Sequence, residues 1–107
     1  MSVMTEMMKD ELIINVQYLN KGTFILKAIN HTLRQQMLHI IHLQKRITVT
    51  ELYIKLRMEQ SVASQHLAIL RRAGFVTTRR EGKFVFYSIN HEKLNHVQHL
   101  IQGIVRA

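Results

Sequence analysis

The side chains available for chemistry in this sequence are amides, hydroxyls, arginines and histidines, because the chain contains no cysteine. Without a thiol there is no sulfur nucleophile, no thiolate metal ligand and no disulfide. The sequence also contains no glycine-rich phosphate loop and no carboxylate pair placed with a histidine for acid and base catalysis. We therefore predict that the protein is not an enzyme and needs no cofactor, and that any metal ion would be bound by nitrogen or oxygen.

A group of short polar side chains precedes a run of cations in the second half of the chain. The polar group is Gln60, Ser61, Ser64 and Gln65. The cations are Arg71, Arg72, Arg79, Arg80 and Lys83. Hydroxyls and amides can reach base edges in the major groove of DNA, where glutamine pairs with adenine, and long cations can reach phosphates. We predict that the polar group reads bases and that the cations bind phosphates.

The net charge also favours a polyanionic partner. Lysine and arginine number 15 against 7 aspartate and glutamate, which gives a formal net charge of +8 on 107 residues. Such a field attracts polyanions without specifying which one. RNA would satisfy the same charge, but the sequence lacks exposed aromatic residues arranged to stack unpaired bases. We therefore predict that the partner of this protein is double-stranded DNA.

The elements that position these residues are read from periodicity. Apolar stripes at helical spacing predict six helices, over 6–19, 23–29, 31–43, 49–56, 60–72 and 91–106. Residues 75–80 and 84–89 are β-branched and aromatic, so they predict the two strands of a hairpin with a basic tip. Two short helices around a tight turn, followed by a basic hairpin, are the layout of a winged helix-turn-helix. The predicted fold is mainly α with a small β-hairpin (α+β), in one domain over residues 1–107.

Capping residues set the predicted helix ends. Asn20-Lys21-Gly22 ends the first helix, and Asn30 provides the N-cap oxygen of the third. Thr48 and Glu51 have capping-box spacing at the start of the fourth, and Ala73-Gly74 closes the fifth. Asn90 caps the last helix. These signals are local, so each end is predicted independently of the rest of the fold.

The helix over 60–72 has two distinct faces when projected at 100° per residue. Its core face is predicted to be Ala63, Leu67 and Leu70, and its outer face carries mostly small and polar residues. An ordinary solvent face favours strong helix formers such as lysine and glutamate, whereas short side chains allow a helix to enter a groove closely. Two alternatives remain: a merely solvated face of weak helix propensity, and a winged-helix module that contacts protein, whose outer face should be apolar or of mixed charge.

The sequence resembles the ArsR (ArsR/SmtB) family of bacterial transcriptional regulators over roughly residues 23 to 94. The matching segments are SQHLAILRRAGFV at 64–76, REGK at 80–83, YSI at 87–89, KAINH at 27–31 with Arg34, and TEL at 50–52. The resemblance implies a homodimeric winged-helix protein that binds DNA. Most members are repressors that leave their operator on binding a metal or another signal, so the resemblance also implies repression.

The metal sites of that family are not matched in this chain. The segment that carries thiolate ligands in many members falls on residues 49–53, which hold no sulfur. The ligand positions of the zinc or nickel site between the last helices fall on His91 and Lys93, and on Ile104 and Ala107. Neither an ammonium nor an alkane binds Zn²⁺ at neutral pH. We therefore predict no metal site.

Histidine pairs provide the alternative, a metal-responsive repressor with a non-standard site. His96 and His99 have i, i+3 spacing, as do His39 and His42, but both pairs are expected on polar helix faces opposite the apolar stripes. Two exposed histidines on a solvated face are the favoured interpretation. For His66, packing or a hydrogen bond is expected rather than ligation.

Apolar stripes on the terminal helices predict a homodimer. The stripe residues are Met8, Leu12, Val16 and Leu19 on the first helix and Leu94, Val97, Ile101 and Ile104 on the last. They exceed what the thin core of one small chain can cover. Two-fold symmetry then predicts an inverted-repeat operator. Residues 1–10 lack the pattern of a signal peptide and no apolar run could span a bilayer, so we expect a cytoplasmic protein with no membrane partner. No motif indicates an inducer.

Overall fold

The computed structural model describes residues 12–107, which form five helices and a small three-stranded sheet. In chain order the elements are α1 (Val16–Ile29), α2 (Thr32–Gln44), β1 (Ile47–Thr48), α3 (Val49–Leu56), α4 (Gln60–Arg72), β2 (Val76–Glu81), β3 (Phe84–Ile89) and α5 (His91–Arg106). The pair α3 and α4, followed by the β2–β3 hairpin, confirms the predicted winged helix-turn-helix of the α+β class. None of the helices over 12–107 is long and apolar enough to cross a membrane.

The N-terminal helix differs from the sequence prediction. Residues 12–15 are outside any helix, and α1 then runs without a break through Asn20-Lys21-Gly22, where an end was predicted. Asn15 is the N-cap of this helix, because its side-chain Oδ1 accepts a hydrogen bond from the backbone N–H of Tyr18 at 3.1 Å. A single helical glycine costs only about 1 kcal/mol relative to alanine, and α1 packs on α2 and α4, which offsets that cost. The predicted helical residues 6–11, with Met8, lie outside the described residues.

The connection between α1 and α2 corrects a second prediction by one residue. Asn30 is the C-cap of α1, where its backbone N–H donates to the Leu26 carbonyl at 2.9 Å. The N-cap of α2 is His31 instead, whose ring Nδ1 accepts the backbone N–H of Arg34 at 3.5 Å. The imidazole therefore takes the capping role that the sequence had assigned to an amide.

The helix-turn-helix itself follows the predicted caps. Thr48 and Glu51 form the capping box at the start of α3, with the Glu51 N–H donating to Thr48 Oγ1 at 3.2 Å. At the end of α4, Gly74 has a φ of 87°, a conformation that an L side chain rarely adopts. The N–H groups of Gly74 and Phe75 donate to the Arg71 and Leu70 carbonyls, the paired bonds of a Schellman motif. This motif fixes the direction in which the chain leaves α4 and enters the hairpin.

The sheet has the order β1-β3-β2 and is antiparallel throughout. The predicted hairpin is confirmed, with Glu81 opposite Phe84 and a two-residue turn in which Gly82 has a φ of 62°. Strand β1 was not predicted. Its two residues, Ile47 and Thr48, pair with Tyr87 and Phe86 and fasten the hairpin to the start of α3.

The core lies between α2, α3, α4 and the sheet. Its buried residues are Ala28, Met37, Leu38, Ile41, Ile47, Leu52, Ala63, Leu67, Leu70, Ala73, Phe75, Val76 and Val97. The predicted core face of α4, namely Ala63, Leu67 and Leu70, is fully buried. Of α5, only Val97 is buried, so most of the last helix extends beyond the core of its own chain.

Candidate nucleic-acid interface

The polar group on α4 is exposed, as the helical projection predicted. Gln60, Ser61, Ser64 and Gln65 all lie in its first two turns, on the side away from the buried residues. None of these four side chains hydrogen-bonds to another group among residues 12–107, so their donors and acceptors are available to a ligand. The face is neither apolar nor of mixed charge, which disfavours the protein-contact alternative.

The cations lie at two places around that face. Arg71 and Arg72 are exposed in the last turn of α4, where the Arg72 guanidinium lies 5.4 Å from the centre of the Phe24 ring of α1. Arg79, Arg80 and Lys83 are exposed on the hairpin. Because successive strand residues point to opposite faces, the side chains of Arg79 and Arg80 leave the strand in opposite directions.

The hairpin tip carries an ion pair that the sequence did not reveal. Glu81 lies between Arg80 and Lys83 in the chain, and its carboxylate pairs with the guanidinium of Arg46. The same guanidinium lies 4.1 Å from the centre of the Phe86 ring. Such an exposed pair contributes at most about 1 kcal/mol to stability. Its electrostatic effect matters more, because the pairing offsets a carboxylate charge that would repel phosphate beside the two cations.

His66 lies behind the polar face and is joined to another helix. Its Nδ1 accepts a hydrogen bond from Arg34 Nε at 3.2 Å, and its ring centre is 5.0 Å from that of His31. Burial lowers the pKa of His66 below its ordinary value, and the neighbouring His31 and Arg34 lower this pKa further. The hydrogen bond confirms the expectation for His66, but no local pattern indicated its partner, because Arg34 is 32 residues away.

The histidine pairs of the sequence analysis lie on exposed helix surfaces. His96 and His99 are exposed on α5, and His39 and His42 are exposed on α2. His39, His42 and His91 line one open cleft of about 830 Å³ between α1, α2 and α5, where the His42 and His91 ring centres are 5.4 Å apart. Within residues 12–107, no group of three or more histidine, cysteine, aspartate or glutamate side chains is arranged to hold a metal ion.

The predicted dimer stripes divide into buried and exposed parts. Val97 is only 6% exposed and belongs to the core, and Leu94 and Ile101 pack against the core while remaining partly accessible. Ile104 is 73% exposed. The other large apolar residues exposed near the two ends are Leu12, Ile13, Ile14, Val16, Tyr18, Leu19, Leu100 and Val105. The apolar surface that a partner could cover therefore lies toward the N-terminal end of α1 and the C-terminal end of α5.

Comparison with known proteins identifies relatives over most of the chain. Residues 33–78 match the sequence profile of the family described as bacterial regulatory protein, arsR family. The transcriptional activator HlyU of Vibrio cholerae is 38% identical over 84 residues, which cover 78% of this chain and 77% of that protein. The transcriptional repressor PagR of Bacillus anthracis is 33% identical over 75% of this chain and 80% of its own length.

Solved structures show the same similarity. The crystal structure of the transcriptional regulator HlyU from Vibrio vulnificus superposes with a TM-score of 0.60 at 39% sequence identity, covering 80% of this chain and 90% of that one. The crystal structure of PagR gives a TM-score of 0.63 at 26% identity and covers 80% of this chain. The family match over residues 33–78 includes the helix-turn-helix, the element that presents the polar face.

Proposed function

Because this chain belongs to the ArsR family of bacterial regulatory proteins, a family of DNA-binding transcriptional regulators, we propose that it binds a specific duplex operator as a homodimer and represses transcription. In this proposal residues 1–107 act as one DNA-binding domain, with α4 in the major groove and the β2–β3 hairpin against the flanking backbone. Repression is chosen because the family resemblance implies it for most members. The relatives include both repressors and activators of transcription, since PagR is named a repressor and HlyU an activator.

The observation that carries the proposal is the exposed face of α4. A helix that must enter the major groove needs small residues for close approach and neutral hydrogen-bonding groups for base edges. Ser61 and Ser64 meet both needs and Gln65 supplies an amide, and all three are exposed opposite a fully buried face. Arg71 at the end of the helix and Lys83 on the hairpin are exposed cations that could bind phosphates in this proposal.

The homodimer is supported by the shape and apolar surface of the single chain. A compact chain of about 100 residues has a radius of gyration of about 13 Å. Residues 12–107 have a radius of gyration of 18.3 Å, with principal extents of 57 × 31 × 23 Å. Apolar side chains such as Leu19 on α1 and Ile104 on α5 are exposed on the projecting helices, and a second copy would cover them. A two-fold axis between the copies requires an operator with inverted half-sites.

Selection of bound duplexes from a random DNA pool tests the proposal. We expect enrichment of an inverted repeat whose half-site centres are about 10 base pairs, or a multiple of that spacing, apart. A matched selection with a Ser64→Lys variant should fail to enrich the same repeat, because a long side chain would hold α4 away from the groove. A wild-type pool that remains random after repeated rounds would contradict the proposal.

We also propose that release from DNA does not require a bound metal ion. Each exposed histidine pair provides two nitrogen ligands, and a selective site needs a third and usually a fourth. Such a pair cannot favour the released state by the roughly 1–3 kcal/mol that an effective allosteric ligand provides. Titration of the protein–operator complex with Zn²⁺, Ni²⁺, Co²⁺ and Cu⁺, in the presence of a competing chelator, should leave the operator affinity unchanged.

The histidine pairs also define the result that would contradict metal-independent release. That result is stoichiometric metal binding with a tenfold or larger loss of operator affinity, abolished by His96→Ala or by His39→Ala. The His91→Ala variant extends the test to the third histidine of the α2–α5 cleft.

A further inference from the structure

A polar cluster of His31, Arg34 and His66 joins three helices behind the base-reading face. Arg34 Nη1 donates to the carbonyls of Ala28 at 2.8 Å and Lys27 at 3.0 Å, both in the last turn of α1. The last carbonyls of a helix lack intrahelical partners and carry partial negative charge, so a guanidinium is well matched to them. Arg34 Nε points the other way and donates to His66 Nδ1 on α4. One planar group therefore connects the end of α1 to the middle of α4.

This connection bears directly on how α4 is held. Over residues 12–107, the Arg34–His66 bond is the one side-chain hydrogen bond between α4 and another element. The N-cap of α4, Glu59, makes no side-chain capping bond, so the first turns of this helix lack the usual polar anchor. His66 directly follows Gln65 in the chain. A rotation or shift of α4 at His66 would therefore move the base-reading side chains by a similar amount.

The bond depends on the protonation state of His66. A guanidinium can only donate hydrogen bonds, so Nδ1 of His66 must be the unprotonated nitrogen. Imidazolium has no acceptor, and its charge would face the guanidinium of Arg34 on α2 and the ring of His31, the N-cap of α2. No carboxylate within residues 12–107 forms an ion pair with His66, Arg34 or His31, since the ion pair found there is that of Arg46 and Glu81 on the hairpin. The bond is therefore lost when His66 gains a proton.

We propose that Arg34 and His66 are positioning residues that orient the base-reading turns of α4, and that they do so only while His66 is neutral, so that mild acid weakens sequence-specific DNA binding. The proposal rests on the DNA-binding role proposed above for α4. Its supporting observations are the two-way hydrogen bonding of Arg34, the missing side-chain cap at Glu59 and the absence, within the described structure, of a carboxylate paired with this cluster.

The expected direction follows from linkage. Burial, His31 and Arg34 hold the pKa of His66 below its unfolded value of about 6.5, so the unfolded chain binds the proton more tightly than the folded chain. The contribution of His66 to the native arrangement is therefore complete above about pH 6.5 and is lost as the pH falls through the lowered pKa. Protonation of other histidines has the opposite effect on DNA, because added positive charge strengthens binding to any sequence.

The test therefore measures a ratio of two affinities, namely the affinity for a selected duplex divided by the affinity for a scrambled duplex. The probes are the duplex selected at about pH 7.5 and a scrambled duplex of the same composition. For the wild type we expect the ratio to fall by about tenfold between about pH 7.5 and about pH 5.0, a loss of the size expected when one hydrogen bond to a charged group is broken. His66→Asn places a non-titrating amide oxygen near the Nδ1 position at similar helix propensity, so its ratio should stay constant. Circular dichroism at both pH values checks that each variant is folded.

Three further variants distinguish positioning from general effects of charge. Arg34→Lys keeps the charge but not the planar fork, so its ratio should be low at both pH values. His31→Asn keeps an N-cap oxygen and should still lose preference in acid, with the midpoint moved to higher pH because one of the groups that lower the pKa of His66 is gone. His96→Asn, on the exposed face of α5, should retain the wild-type pH dependence. Retention of the wild-type pH dependence by His66→Asn, or a ratio that no longer changes with pH in His31→Asn, would overturn the proposal.

The two proposals fail in different ways. A wild type without sequence preference even at about pH 7.5 would refute the DNA-binding proposal. A wild type whose preference for the selected duplex does not change with pH would refute the role of His66 alone. Both outcomes are read from the same titrations, since each includes the selected and the scrambled duplex.

Discussion

The Ile104→Asp variant is expected to be monomeric and to lose operator affinity by about a hundredfold or more. Ile104 is 73% exposed near the end of α5, so a charge there should not disturb the core of the single chain. In a dimer it would lie in a buried apolar contact, where an unpaired carboxylate is strongly unfavourable. Two linked half-site contacts gain about 10²- to 10⁴-fold over one, and a monomer loses that gain. Light scattering gives the mass, and titration of the selected duplex gives the affinity.

Ile104 is a better test position than Ile101, the more central residue of the predicted stripe. Ile101 packs against the core, so a charge there would confound dimerisation with folding. The matched control is His99→Asp, which introduces the same side chain on the opposite face of α5 and should remain dimeric. A wild type with the mass of a monomer at micromolar concentration, or an Ile104→Asp variant with unchanged mass and affinity, would contradict the dimer.

The Gln65→Ala variant is expected to lose operator affinity by about 1–3 kcal/mol while binding random DNA as the wild type does. Gln65 is exposed on the side of α4 opposite its buried face, and its amide can make two hydrogen bonds to one adenine. Its removal should flatten the preference at one or two base pairs of each half-site. Gln102→Ala, an exposed glutamine on α5, is the matched control and should leave both affinities unchanged. Competition titrations with operator and random duplexes measure the difference.

Arg80→Ala should behave differently from Gln65→Ala. Arg80 is exposed on the hairpin, and a phosphate contact carries no sequence information, so its loss should weaken all duplexes alike and reduce the salt slope by about one. Arg79→Ala tests in the same titrations whether the neighbouring cation, whose side chain leaves the strand on the opposite face, also contributes to DNA affinity. Equal losses on operator and random DNA for both the Gln65 and the Arg80 variants would show that the base-reading assignment is wrong.

Local signals were sufficient for the helix-turn-helix and the hairpin. The capping box at Thr48 begins α3, Gly74 ends α4 and Gly82 sets the hairpin turn, each through chemistry confined to a few residues. The exposed and buried faces of α4 follow equally from its periodicity. These are the parts of the fold that position the candidate interface, and for that reason its exposed residues could be predicted.

Features that depend on distant partners could not be predicted in this way. Gly22 was interpreted as a helix end, but packing of α1 on α2 and α4 outweighs the intrinsic cost of a helical glycine. Strand β1 is two residues long, too short to show alternation. Arg34 and His66 are separated by 32 positions in the chain, and Arg46 and Glu81 by 35 positions. No rule based on sequence spacing indicates contacts between residues so far apart.

The central claim is that the exposed face of α4 reads a specific duplex, and the affinity ratio of the wild-type protein tests it most directly. The measurement is a titration of the selected inverted repeat and of its scrambled counterpart at one physiological salt concentration. The account predicts two protomers per repeat and an affinity at least about a thousandfold higher than for the scrambled duplex. Equal affinities for the two duplexes would contradict it, because charge alone would then account for all of the binding.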